Sequence, residues 1–180
     1  MTSPSFEALF EHLWSAPEGA APPNVYALLD GARDPQVFPL VTGCNLATAC
    51  LYTGRLPKEL LEVAPYLIHL TPKAAFTREL LERSWSRSWG VFLVSRYGLE
   101  DVRRHMKRFL RVADERGKTF VFRYYDPRIL RVYLPTCTPE ELKGFFGPVD
   151  RYCMEAEEPR LLLDFSLEGD RLRKAKVPVL

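Results

Sequence analysis

The sequence predicts an α/β fold, a single domain with a mixed, partly parallel central sheet flanked by helices and led by an N-terminal amphipathic helix. Three observations carry that reading. Short, nearly continuous apolar runs recur at 25–29, 66–70 and 90–95, as in strands covered on both faces. Stretches with helical periodicity lie between them. The 180 residues are 47% hydrophobic and 27% charged, which supplies one sizeable core.

Residues 3–14 read as the leading helix. Phe6, Leu9, Phe10, Leu13 and Trp14 share one face, and Ser3-Pro4 suits the cap and first turn. Ala16 to Pro23 is a Pro-rich linker, so residues 1–23 form a unit ahead of the main domain, 24–152. Val25 to Leu29 is a strand closed by Asp30-Gly31. Asp34-Pro35 opens a short segment in which Pro39 limits any helix to a turn or two. Ala49 to Thr53 reads as a strand, Lys58 to Val63 as a short helix stopped before Pro65, and Tyr66 to Leu70 as the next strand. Thr71-Pro72 introduces a helix with Phe76, Leu80, Leu81 and Trp85 inward; the strand Gly90 to Ser95 follows.

Leu99 to Ala113 has the clearest helical pattern. Leu99, Val102, Met106, Phe109, Leu110 and Ala113 form one stripe, and basic residues fill the rest of the circumference. Thr119 to Tyr124 reads as a strand with Phe120 and Phe122 in the core. Two capped helices then start at Asp126-Pro127 and Thr138-Pro139. Residues 153–180 form a C-terminal extension, with a hairpin turning at Glu168-Gly169.

Charge is uneven although the total is only +2. Residues 73–131 hold 15 Lys/Arg against 7 Asp/Glu, and residues 138–170 hold 3 against 9. Such asymmetry suits an acidic partner or two halves that face each other. Cys44, Cys50, Cys137 and Cys153 lack the spacing of a disulfide framework or a zinc site, which fits a reducing, cytoplasmic setting. No signal-peptide pattern and no run of ~20 apolar residues is present.

Asp30, Asp34 and Asp126 follow strands, where α/β enzymes keep catalytic carboxylates. A hydrolase or phosphotransferase using Asp30 and Asp126 is therefore one alternative. Helix capping explains the Asp-Pro pairs better, because Thr71-Pro72 and Thr138-Pro139 repeat the device without a carboxylate, and Thr138-Pro-Glu-Glu141 has capping-box spacing. Arg123, Arg128 and Arg131 suit either a phosphate clamp or an ion-pair network. No Walker loop, G-x-G-x-x-G or G-x-S-x-G occurs, so no catalytic residue, cofactor or metal is expected. Cys50 reads as a core residue. The interaction surface expected is the basic face formed by Arg103, Arg104, Lys107, Arg108 and Arg111. Such a face is as often merely solvated; as a binding surface it suits an acidic protein at least as well as a nucleic acid, and a net charge of +2 and no stacking motif oppose the alternative of a nucleic-acid-binding module.

An ordered series of motifs adds a resemblance. It runs Val25-Tyr-Ala-Leu-Leu-Asp-Gly-Ala32, Leu51-Tyr-Thr-Gly54, Val63-Ala-Pro-Tyr-Leu67 and Trp89-Gly90. It continues through Arg108-Phe-Leu-Arg111, Phe122-Arg-Tyr-Tyr-Asp-Pro-Arg128, Leu134-Pro135 and Phe146-Gly-Pro148. Over roughly 24–152 the chain resembles the effector adaptor or chaperone family of bacterial type VI secretion (the Tap/TEC adaptor domain). The resemblance implies a non-enzymatic cytoplasmic protein that binds a toxic effector and helps load it onto the spike protein, VgrG. Many such proteins carry a further helical lobe. Here about 30 residues follow Pro148, a departure from that pattern which implies a reduced or absent lobe, and either service of a spike alone or effector recognition through the N-terminal helix instead.

Overall fold

The computed structural model describes residues 6–158 and 160–179. In chain order the elements are α1 (Glu7–Leu13), β1 (Asn24–Asp30), α2 (Val37–Thr42), β2 (Thr48–Cys50), α3 (Lys58–Glu62), β3 (Pro65–Leu70) and α4 (Ala75–Ser84). Then come β4 (Gly90–Ser95), α5 (Leu99–Lys107), β5 (Arg111–Ala113), β6 (Thr119–Val121), α6 (Pro127–Tyr133) and α7 (Pro139–Phe146). The chain closes with β7 (Val149–Glu155), β8 (Leu161–Glu168) and β9 (Arg171–Pro178).

Seven strands form one sheet in the order β2-β3-β1-β4-β7-β8-β9, and every neighbouring pair is antiparallel. This corrects the partly parallel sheet expected from the alternation of strands and helices. β3 and β4 do run in the same direction and are joined through α4, but β1 lies between them. Ala27 pairs with Ile68 on one side and Phe92 on the other. The crossover therefore spans an inserted antiparallel strand, and no parallel pairing results. Sequence periodicity reports which faces are buried, not which strand is the neighbour.

Both faces are covered, as the apolar runs require. On β1, Val25, Ala27 and Leu29 pack with Leu9 and Leu13 of α1, Val37 of α2 and Leu80 of α4. Tyr26 and Leu28 point to the other layer, with Met106 of α5, Leu130 of α6 and Phe145 of α7. α1 thus finds its docking surface on this sheet. Ser3-Pro4, its expected cap, lies outside the described residues. Trp85 and Trp89 are buried.

The capping device operates at two of its four expected places. Asp126 accepts the Arg128 N–H at 2.9 Å. Thr138 accepts the Glu141 N–H at 3.2 Å while Glu141 accepts the Thr138 N–H at 2.7 Å, completing the capping box. Asp34 instead accepts from the Gln36 N–H and from Trp89 Nε1, outside α2. Thr71 lies ahead of α4, which starts without a side-chain cap.

The predicted helix 99–113 is shorter than its periodicity suggests. α5 stops at Lys107, and residues 111–113 form β5, paired with β6 in a separate two-stranded sheet. The turn between them is built on Asp114, whose Oδ1 accepts the N–H groups of Arg116 and Lys118, each at 2.9 Å. Phe120, expected in the core, is 44% exposed because this hairpin stands off the main sheet. Phe122 is half-buried, its ring 4.7 Å from that of Tyr133. Cys50 is also only half-buried, on the short edge strand β2. The C-terminal hairpin forms as expected, with Glu168 opposite Arg171, and β8 joins it to β7.

Candidate functional site

At the end of β1 the structure gathers the residues that most resembled catalytic machinery. Arg123 donates from Nε to Asp30 Oδ2 at 2.9 Å and from Nη2 to the same oxygen, while the Ala32 N–H donates to Oδ1 at 3.0 Å. Asp30 is fully buried. Burial pushes its carboxyl above the ordinary range, against the pull of Arg123 and the Ala32 N–H. Asp126, the buried N-cap of α6, also accepts from Arg128 Nη2 at 2.6 Å. Burial raises its carboxyl, but the Arg128 side-chain and backbone donors outweigh this and hold it below the usual range. Arg131 pairs with Glu157 at 3.2 Å. Each of the three arginines therefore has its own carboxylate.

A second cluster carries no sequence signal, because its members are far apart along the chain. His12 Nε2 lies 2.5 Å from Asp164 Oδ2, and Arg151 Nη1 donates to that same oxygen at 2.8 Å. Arg151 Nη2 also donates to the His12 and Leu13 carbonyls at 3.1 Å, satisfying the C-terminal end of α1. Ligating atoms of His12, Cys153 and Asp164 lie within 4.8 Å of one another, a spacing a metal ion could use. Arg151 already supplies a cation to Asp164, and burial pushes the Cys153 thiol well above its ordinary value, which disfavours the thiolate a metal would need. The geometry is that of a clasp holding α1 on β8. The other missed group is Glu155, which accepts from the Ser86 N–H at 2.5 Å and Ser88 Oγ at 2.7 Å, bracing a turn in which both serines have positive φ.

The five basic residues expected to bind a partner are not equivalent. Arg103 is tied down by the Cys50 carbonyl at 3.1 Å and by Glu100 at 3.5 Å. Arg104 pairs with Asp101 at 3.1 Å. Lys107, Arg108 and Arg111 form no ion pair among the described residues, and all three line a cleft of about 510 Å³. Leu51, Leu56, Leu60, Leu110 and Val121 line it as well. The cleft exists because α5 ends early. The turn at 108–110 and the β5–β6 hairpin fold one wall, and the 51–60 segment forms the other. No basic-stripe reading of a helix could have found Leu51, Leu56 and Leu60, since they come from a different part of the chain.

These features define an α/β protein with a seven-stranded antiparallel sheet covered by helices on both faces and a basic, apolar-lined surface cleft. The chain belongs to the family described as "Domain of unknown function (DUF4123)", whose match spans residues 25–144. No curated protein and no solved structure matches it. No helix among the described residues is long and apolar enough to cross a membrane.

Proposed function

We propose that this chain is a non-enzymatic adaptor or chaperone of type VI secretion, which binds a toxic effector in the cytoplasm and helps load it onto the VgrG spike protein. One observation carries the reading. The family match at 25–144 contains every motif of the ordered series that resembles such adaptors except the last, Phe146-Gly-Pro148. The ion pairs support it. An aspartate-based hydrolase needs carboxylates free to meet substrate or metal, whereas Asp30 and Asp126 are committed to Arg123, Arg128 and backbone N–H groups. Partner contact is assigned to the basic surface of Arg103, Arg104, Lys107, Arg108 and Arg111.

The test is co-purification of the full chain, in mild salt, with the VgrG spike proteins and type VI effectors of its own bacterium. A stable complex with at least one of them is expected. Recovery of neither removes the adaptor reading. Tight binding of a generic DNA duplex, weakening steeply with added salt, would replace it with the nucleic-acid reading.

A further inference from the structure

We propose that the cleft between the 51–60 segment and the corner formed by the end of α5 and the β5–β6 hairpin seats an acidic protein segment carrying apolar anchors. This rests on the adaptor reading and names the chemistry of its partner. The lip of the cleft is cationic: Lys107, Arg108 and Arg111, none of them ion-paired among the described residues. Arg103 and Arg104, one turn earlier, are already neutralised by Glu100 and Asp101. Three unpaired cations at one rim set the sign of the occupant, because like charge there is disfavoured and an acidic chain gains charge-assisted contacts.

The lining sets the rest. Leu60 is 44% and Val121 59% exposed, although both are large and apolar. Together with the half-buried Leu56 and Leu110 they make an aliphatic surface, floored by the buried Leu51, in a concave volume of about 510 Å³. That is room for the apolar anchors on one face of a short segment, the arrangement by which grooves take amphipathic chains. Val121 comes from β6, and Arg111 opposite it in the ladder comes from β5, so one face of the hairpin presents an apolar and a cationic contact side by side. A nucleic-acid backbone would use the cations and leave the leucines in water. An acidic amphipathic segment uses both.

The experiment measures the affinity of purified full-length chain for the spike and for the effector of the same bacterium, each separately. Lys107→Glu, Arg108→Glu and Arg111→Glu combined are expected to weaken one of the two complexes at least tenfold, and Leu60→Asp to do the same. Arg96→Glu, outside the cleft and 80% exposed, is expected to stay within twofold. Circular dichroism melting of each variant checks the fold. A photo-crosslinking residue placed at Leu60 or Val121 in the otherwise unchanged chain is expected to capture a partner peptide with net negative charge and apolar side chains. Wild-type binding with every cleft variant within twofold overturns the cleft and leaves the adaptor reading standing. So does crosslinking only to a second copy, whose acidic 138–170 stretch is the competing occupant. If the wild-type chain binds neither protein, the adaptor reading fails and the cleft assignment falls with it.

Discussion

Arg123 and Asp30, 93 residues apart in sequence, are joined by two donations from one guanidinium to one buried carboxylate oxygen. The pair ties the segment leading into α6 to the end of the central strand β1. Removing the arginine strands a buried negative charge, whereas changing both partners does not. Arg123→Ala is expected to lower unfolding free energy by about 2–4 kcal/mol, toward the low end for a buried pair because the guanidinium is 36% exposed. Asp30→Asn is expected to lose less. Chemical denaturation of the two single variants and the double variant measures the coupling.

Acid should unfold the protein through Asp126 and Asp164. Both carboxyls are pushed up by burial, yet donors lower them net: Arg128 at Asp126, and His12 with Arg151 at Asp164. A depressed folded-state value means that their stabilisation is present above the unfolded value of 3.8 and is lost as pH falls through the folded values. Asp30, raised by burial, acts in the opposite sense, since its protonation on acidification favours the folded state. Stability measured against pH is therefore expected to fall below 3.8, and Asp126→Asn is expected to flatten that fall.

Gly147 ends α7 at φ +48 and ψ −114, a combination that glycine alone adopts readily. A β-carbon there would stand 2.3 Å from Cε1 of His105. That imidazole is buried and fixed by a 2.8 Å contact of Nε2 with the Phe145 carbonyl. Gly147→Ala is expected to cost about 2–4 kcal/mol from combined backbone strain and overpacking. His105→Ala in the same chain is expected to recover part of the loss, which thermal or urea unfolding will show.

The two kinds of Thr-Pro site give a matched comparison. Thr138→Ala removes a working cap and is expected to cost about 1 kcal/mol. Thr71→Ala, at a site where α4 starts without a side-chain cap, is expected to stay within about 0.5 kcal/mol. Equal losses would mean that the hydroxyl at Thr71 does something other than capping.

Much of the candidate site was legible, but unevenly. Asp126 and Thr138 announce themselves because a cap is satisfied within three residues, and the cations on α5 stand out from the apolar stripe opposite them. Arg103 and Arg104 look identical to Lys107 and Arg108 in sequence, yet the first two are tied to Glu100, Asp101 and a carbonyl of β2. The clasp of His12, Arg151 and Asp164 has no local signature. Its parts meet only when α1 docks on β8.

By itself the sequence determined the alternation of strands and helices, the burial of both sheet faces, two helix caps and the terminal hairpin. All of these depend on interactions between residues close in the chain or on the period of apolar side chains. Tertiary structure alone decided that β1 enters between β3 and β4 and makes the sheet antiparallel throughout. It also decided that α5 yields to a hairpin after Lys107 and that Leu60 and Arg108 line one cleft. Those outcomes turn on which distant surfaces compete for the same neighbour, and periodicity along one segment holds no record of that competition.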